Sequence, residues 1–146
     1  MIVLDIDGVV SDTYQDNIFE NIDESTLSSL DIKNAKPFED AWYWINHYSS
    51  IYDIMFITSR DKRNTAATWE WFRDWDIPVD FVVFEPDRIQ FLAQINPTVY
   101  IDDNQDNVSA ALDVGVNAIL LDAEYNMESS ISSKFRVSTL WDIECV

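Results

Sequence analysis

The chain has 146 residues, of which 47% are hydrophobic and 14% aromatic. That is enough apolar material for one folded domain, and it excludes a disordered tail. A formal charge of −18 sets long-range electrostatics against nucleic acid and acidic membranes as partners. No apolar run approaches the roughly 20 residues of a membrane span, and no basic stretch precedes the apolar N-terminus as in a signal peptide. The single cysteine, Cys145, forms no internal disulfide, so a reducing, cytoplasmic setting is expected. Most of the basic residues (Arg60, Lys62, Arg63, Arg73 and Arg88) fall in the middle of the chain. They allow a local positive site on an acidic body.

The first predicted strand is the apolar run Ile2 to Leu4, which ends in Asp5-Ile6-Asp7-Gly8. If the strand continues, Asp5 and Asp7 share one side. Two like charges about 4 Å apart repel by roughly 4 kcal/mol at an effective dielectric of 20, so that arrangement calls for a cation. If the strand stops earlier, Asp7 sits on a turn and can offer its backbone carbonyl, and Gly8 lets a ligand approach the backbone closely. Residues 11–36, with Asp12, Asp16, Glu20, Asp23, Glu24 and a serine-rich run, read as a flap carrying one short helix. This insertion is too small for an independent domain.

Pro37 suits the first turn of a helix, and Phe38, Ala41, Trp42, Ile45 and Tyr48 recur at helical spacing to about Ser49. His47 falls off that stripe and reads as a surface histidine. No second His or Cys makes a metal site with it. Ile51 to Ile57 is a second strand, stopping at Thr58-Ser59-Arg60. Asn64 or Thr65 can cap the next helix, which runs through Ala66, Trp69, Phe72 and Arg73 to about Trp75. Trp69 and Phe72 are assigned to the core, while Trp71 and Trp75 point elsewhere, toward a partner surface if they have one. Phe81 to Phe84 is a third strand. Pro86 starts a helix with Arg88 in its first turn, followed by Ile89, Leu92 and Ile95, and Pro97 ends it. Val99 to Ile101 is a fourth strand, stopping at Asp102-Asp103-Asn104. A helix through Val108, Ala111, Leu112 and Val114 is closed by Gly115, Ala118 to Leu121 is a fifth strand, and Leu140 to Ile143 is a short closing helix.

Strands alternating with helices argue for an α/β domain with a five-stranded parallel sheet. Nearly continuous apolar strands suit a sheet covered on both faces. Open sheets of this kind bind ligands beyond the carboxyl ends of their strands. The polar residues found there are Asp5 and Asp7, Thr58-Ser59-Arg60, and Asp102-Asp103. They predict an acidic, cation-binding crevice with hydroxyl and basic groups beside it. Oxygen-rich ligation by several carboxylates selects Mg2+ or a similar hard ion over zinc.

Asp5-Ile6-Asp7-Gly8-Val9-Val10 resembles the first motif of the haloacid dehalogenase-like (HAD) superfamily, mostly magnesium-dependent phosphohydrolases. Thr58, Arg88 and Asp102-Asp103 match the second, third and fourth motifs in order, with arginine in place of the commoner lysine at the third. Lys62 and Arg63 are rivals for that third position but lie too close to the second motif. The resemblance implies a three-layer Rossmann-like sandwich over residues 1–146 with no large cap. It implies that Asp5 is the nucleophile, forming an aspartyl-phosphate, and that Asp7 is the general acid and base. Mg2+ would be held by Asp5, the Asp7 carbonyl and Asp103, with Asp102 behind them. Thr58, Ser59 and Arg88 would bind the phosphoryl group. The stretch from Thr58 to Pro78 is similar to the phosphatase domain of phage polynucleotide kinase-phosphatases and to small 5′-deoxyribonucleotidases, which turns Arg60 toward the substrate. With two glycines and no glycine-rich stretch, the chain has no kinase phosphate loop. The implied partner is a small phosphorylated substrate, a nucleotide in particular, since the net charge disfavours a nucleic-acid end. The alternative is a non-catalytic binding protein on the same fold, using the tryptophan-rich helix.

Overall fold

The structure, a computed structural model, describes residues 1–14 and 23–144. Asp16, Glu20 and Cys145 lie outside the described residues. The centre of the fold is strand β1, Ile2–Asp5, flanked by β2, Ile54–Thr58, and β4, Val99–Asp102. With β3 (Phe81–Phe84), β5 (Ala118–Leu121) and β6 (Arg136–Val137) they form one sheet in the order β3-β2-β1-β4-β5-β6, parallel throughout. Every residue of β1, β2 and β4 is buried. The reason is the alternation of side chains over two covered faces. Ile2, Leu4, Ile54, Phe56 and Ile101 join one cluster with Trp44, Ile45, Trp71 and Phe72. Val3, Met55, Ile57 and Tyr100 join another with Leu92, Val108 and Ala111. The result is the expected three-layer α/β sandwich.

The sheet has six strands rather than the five expected. The sixth is only two residues long, pairing Leu120 with Arg136 and Leu121 with Val137. Two residues in a polar stretch carry no alternation to read. The strand is held by its surroundings instead: the Asp122 amide donates to the Val137 carbonyl at 2.8 Å, and Arg136 pairs with Asp122 at 2.7 Å.

The helices α1 (Ser29–Asn34), α2 (Glu39–Tyr48) and α3 (Thr65–Asp74) cover the first face, and α4 (Ile89–Ile95) and α5 (Gln105–Asp113) the second. Two of the predicted apolar stripes are rotated by one or two residues. In α2 the buried residues are Ala41, Trp44 and Ile45. Trp42 is half-buried and donates its Nε1 to the Trp75 carbonyl at 2.7 Å. In α3 the buried face is Thr68, Trp71 and Phe72. Trp69 is 40% exposed while Trp71 is 2% exposed, the reverse of the sequence reading. The cause is a polar residue on the buried face. Thr68 accepts from Arg60, so the true stripe did not look apolar, and α1 covers the side of α3 where Trp71 points. Trp71 Nε1 donates to the Ala35 carbonyl at 2.8 Å.

Pro37 and Phe38 lie just before α2, which starts at Glu39 with Phe38 at its N-cap. Arg88 occupies the N-cap of α4, not its first turn. At Gly115 the backbone turns with φ +83 directly after α5, the left-handed conformation that closes helices. The closing helix is a 3₁₀ turn over Leu140–Asp142.

The described part of the flap holds a 3₁₀ turn, Glu24–Thr26, and then α1, whose N-terminus is closed by a reciprocal Ser28–Asp31 capping box. Leu27, Ile32 and Ala35 are buried, so this half of the insertion belongs to the core. Asn64, expected as a cap, makes no capping bond; its amide donates to the Leu27 carbonyl at 2.8 Å and ties the insertion to the start of α3. His47 is exposed. Among the described residues, no helix is long and apolar enough to cross a membrane.

Candidate active site

The site forms where β1, β2 and β4 end. β1 stops at Asp5, so Asp7 stands on the turn that follows. That turn is tight: the Ile6 carbonyl accepts from the amides of Val10 and Ser11, both at 2.9 Å. Gly8 has φ +85. A Cβ there would come within 2.7 Å of the Tyr125 hydroxyl and of the Tyr14 ring, and closer still to Asp103 Oδ2. Backbone strain and crowding thus both demand glycine, and the crowding brings the turn against the end of β4.

Two buried arginines organise the carboxylates. Arg60 grips Asp7 bidentately, with Nε on Oδ2 at 2.9 Å and Nη2 on Oδ1 at 2.6 Å, and its Nη1 donates to Thr68 Oγ1 at 3.1 Å. Both side chains of this pair are fully buried. Thr13 also donates to Asp7 Oδ1, at 2.5 Å. Arg88 donates through Nη1 to Asp5 at 2.8 Å and to Asp102 at 3.1 Å, and through Nη2 to Ser59 Oγ at 2.7 Å. Its Nε is buried and, among the described residues, has no partner. Lys62 and Arg63 are exposed.

Asp5, Asp102 and Asp103 are all buried, and one carboxylate oxygen from each lies within 4.8 Å of the others. Burial, and then the charge of Asp102, holds both Asp5 and Asp103 well above the usual carboxylate range. Asp102 accepts from Tyr100, Arg88, Asn107 and the Asn104 amide. Asp103 accepts from the Tyr125 hydroxyl, and Asn126 pins the Asp103 carbonyl at 2.9 Å. Arg88 forms ion pairs with Asp5 and Asp102 and, among the described residues, Asp103 has none, so three crowded carboxylates share one cation, and the donor set is all oxygen. Both features fit a hard divalent cation such as Mg2+.

The structure brings Asp5, Asp7, Thr58, Ser59, Arg60, Arg88, Asp102 and Asp103 to the same end of the sheet. Thr58 is fully buried, and its Oγ1 accepts from the Arg60 amide at 3.0 Å. Arg60, which the resemblance turns toward the substrate, has its guanidinium on the Asp7 carboxylate. It is buried, and its charge is taken up by Asp7. Sequence reasoning passed over Tyr14, Glu24 and Tyr125. Tyr14 donates to Glu24 at 2.9 Å and meets Tyr125 edge-on, with ring centroids 5.8 Å apart. Burial and then the charge of Asp7 push Glu24 up to about 7. Burial followed by the neighbouring acids keeps both tyrosines protonated, as donors. Nothing local in the sequence marks these three, since their partners are distant in the chain.

No family model matches the chain. Over 76 residues, or 51% of its length, it is 30% identical to a nucleotidase of Clostridium acetobutylicum, and the match covers 40% of that relative. Among solved structures, it resembles an L-2-haloacid dehalogenase with a TM-score of 0.57 at 13% identity, covering 77% of this chain and 58% of the other. It also resembles a haloacid dehalogenase-like hydrolase family protein of Streptococcus pneumoniae with a TM-score of 0.56 at 14% identity, covering 83% of each chain. At such low identity these structural likenesses speak to architecture alone. The parallel sheet, the aspartates at the ends of β1 and β4 and these two neighbours agree: the chain has the haloacid dehalogenase-like fold.

Proposed function

We propose that the chain is a magnesium-dependent phosphomonoester hydrolase acting on a nucleotide or nucleic-acid-end phosphate. The observation that carries this reading is the buried trio Asp5, Asp102 and Asp103, gathered within 4.8 Å beside an arginine with a spare buried donor. Likeness over half the chain to a named nucleotidase supports it further.

In this reading Asp5 attacks phosphorus, a bond forms between its oxygen and the phosphoryl group, and the bond to the leaving oxygen breaks. Asp7 delivers a proton to that oxygen, then takes one from the water that cleaves the aspartyl-phosphate and frees Asp5. The Thr13 hydroxyl both donates and accepts, so it serves Asp7 in either protonation state. Arg60 holds the Asp7 carboxyl in one orientation throughout. Arg88 Nε gains a phosphoryl oxygen as its missing partner, with Ser59 and Thr58 alongside. Asp5, Asp103 and the Asp7 carbonyl would hold Mg2+, which supplies charge neutralisation between an anionic nucleophile and an anionic substrate. Asp102, committed to four donors, orients this set.

The test is hydrolysis of 4-nitrophenyl phosphate with and without Mg2+ by the wild type and Asp5→Asn. Magnesium-dependent turnover that is lost in the variant is the expected result. No turnover of this compound, of nucleoside monophosphates or of 3′-phosphorylated oligonucleotides would overturn the enzyme reading and leave the exposed faces of Trp69 and Trp75 as the place to look for a binding role.

A further inference from the structure

A cavity of about 400 Å³ opens beside the Asp7–Gly8 turn, lined by Gly8, Val9 and Tyr14 on one side and by residues 121–125, at the end of β5 and in the loop after it, on another. Its size falls within the usual range for small-molecule sites. Tyr125 faces this cavity and also bonds the Asp103 carboxylate, so one ring separates the space from the catalytic carboxylates. Asp7, the residue that would protonate the leaving oxygen, is the immediate neighbour of Gly8 at the cavity wall.

We infer that this cavity receives the leaving group of the substrate, and that the leaving group is a nucleoside bearing no second phosphate. The inference rests on the phosphatase reading above. Three rings, Tyr14, Phe38 and Tyr125, contribute to the lining and offer faces or edges to a flat heterocycle. The polar part of the lining is one-sided. Asp12, Asp40, Asp122 and Glu124 line the cavity, and among the described residues no Lys, Arg or His does. Asp122 is taken up by Arg136, and among the described residues Asp12, Asp40 and Glu124 have no ion-pair partner. Ionised carboxylates only accept hydrogen bonds. They suit the amino group of a base and the hydroxyls of a ribose, and they repel a further phosphate. A polynucleotide end or a nucleoside bisphosphate would have to bring its extra charge into this lining.

The experiment measures kcat/KM for cytidine 5′- and 3′-monophosphates, cytidine 3′,5′-bisphosphate and 4-nitrophenyl phosphate, with cytidine itself as a competitor. The wild type is expected to turn over the better monophosphate at least about tenfold more efficiently than the bisphosphate, and cytidine is expected to compete. Glu124→Lys, at an exposed position where folding is not at stake, is expected to narrow the gap between monophosphate and bisphosphate. If 4-nitrophenyl phosphate is hydrolysed but the bisphosphate matches the monophosphates and cytidine does not compete, the leaving-group inference is overturned while the phosphatase reading stands. If none of the four compounds is hydrolysed, the inference is overturned, and if 3′-phosphorylated oligonucleotides are inert as well, the phosphatase reading fails with it.

Discussion

Arg60 and Arg88 are both buried, and each holds an aspartate at the end of β1 or on the turn after it at hydrogen-bond distance, yet their environments differ. Every nitrogen of Arg60 has a partner: Nε and Nη2 on Asp7, Nη1 on Thr68. Arg88 divides one nitrogen among Asp5, Asp102 and Tyr100, and leaves Nε unpaired. A closed set of bonds belongs to the folded structure itself. An open set has capacity for a ligand, since a buried donor without an acceptor costs about 1–3 kcal/mol until one arrives. In the proposed mechanism two arginines of equal burial divide the work: one fixes the proton-transfer group, and the other receives the phosphoryl group.

The largest effect is expected from removing the open arginine. Arg88→Met should lower kcat/KM for 4-nitrophenyl phosphate by about 10²–10³-fold, the usual loss when one donor to developing charge is removed. Arg88→Met also takes the cation from Asp5 and Asp102, so some stability goes with it. If kcat/KM falls by this factor in variant protein that its melting transition shows to be folded at the assay temperature, the division between the two arginines holds. If Arg88→Met chiefly unfolds the protein, it fails.

Arg60→Met should do the reverse in stability. It leaves the Asp7 carboxylate buried with no cation, which costs about 3–5 kcal/mol. Urea denaturation of the single variant and of Arg60→Met with Asp7→Asn reads this directly. The double variant should recover most of the loss, because the uncompensated charge is gone.

The face of α3 that supports Arg60 gives a paired control. Trp71→Ala should destabilise by about 3–5 kcal/mol as a large buried side chain is deleted. Trp69→Ala, two residues earlier on the exposed side of the same helix, should change stability by no more than about 0.5 kcal/mol. Equal effects from the two would reverse the orientation of α3.

The smallest effect concerns the flap. Glu24 ionises near pH 7 in the folded protein, against an ordinary value of 4.5. The folded state therefore binds more protons between these values, and its stability falls as pH rises from about 4.5 through 7. Melting temperatures from pH 5 to pH 8 in the absence of Mg2+ should decline more steeply in the wild type than in Glu24→Gln. Identical slopes would remove Glu24 from the carboxylate cluster.

How much of this was legible in the sequence follows from the range of the interactions involved. The strands around Leu4, Phe56 and Ile101 are apolar runs with polar ends, so a short window reveals them and brings Asp5, Thr58 and Asp102 together. The Asp7–Gly8 turn is local as well. Arg88 was reached through motif order, which stands in for a contact of Arg88 with Asp5 across 83 positions. What stayed hidden depends on distant partners. Thr68 is buried because Arg60 reaches it, and that polar residue disguised the apolar face of α3 and misassigned Trp69 and Trp71. Tyr14, Glu24 and Tyr125 gain their roles only when the flap and the loop after β5 meet over Gly8. The two residues of β6 carry too little pattern to be read at all.

The central claim is that Asp5 is the nucleophile of a phosphate-transfer site. Its most direct test is acid quenching of the wild type during turnover of 4-nitrophenyl phosphate with Mg2+, followed by mass-spectrometric mapping of phosphorylated peptides. The account predicts a phosphoryl group on Asp5, dependent on Mg2+ and absent from Asp5→Asn. Undiminished turnover by Asp5→Asn, or phosphorylation at a different residue, would contradict it.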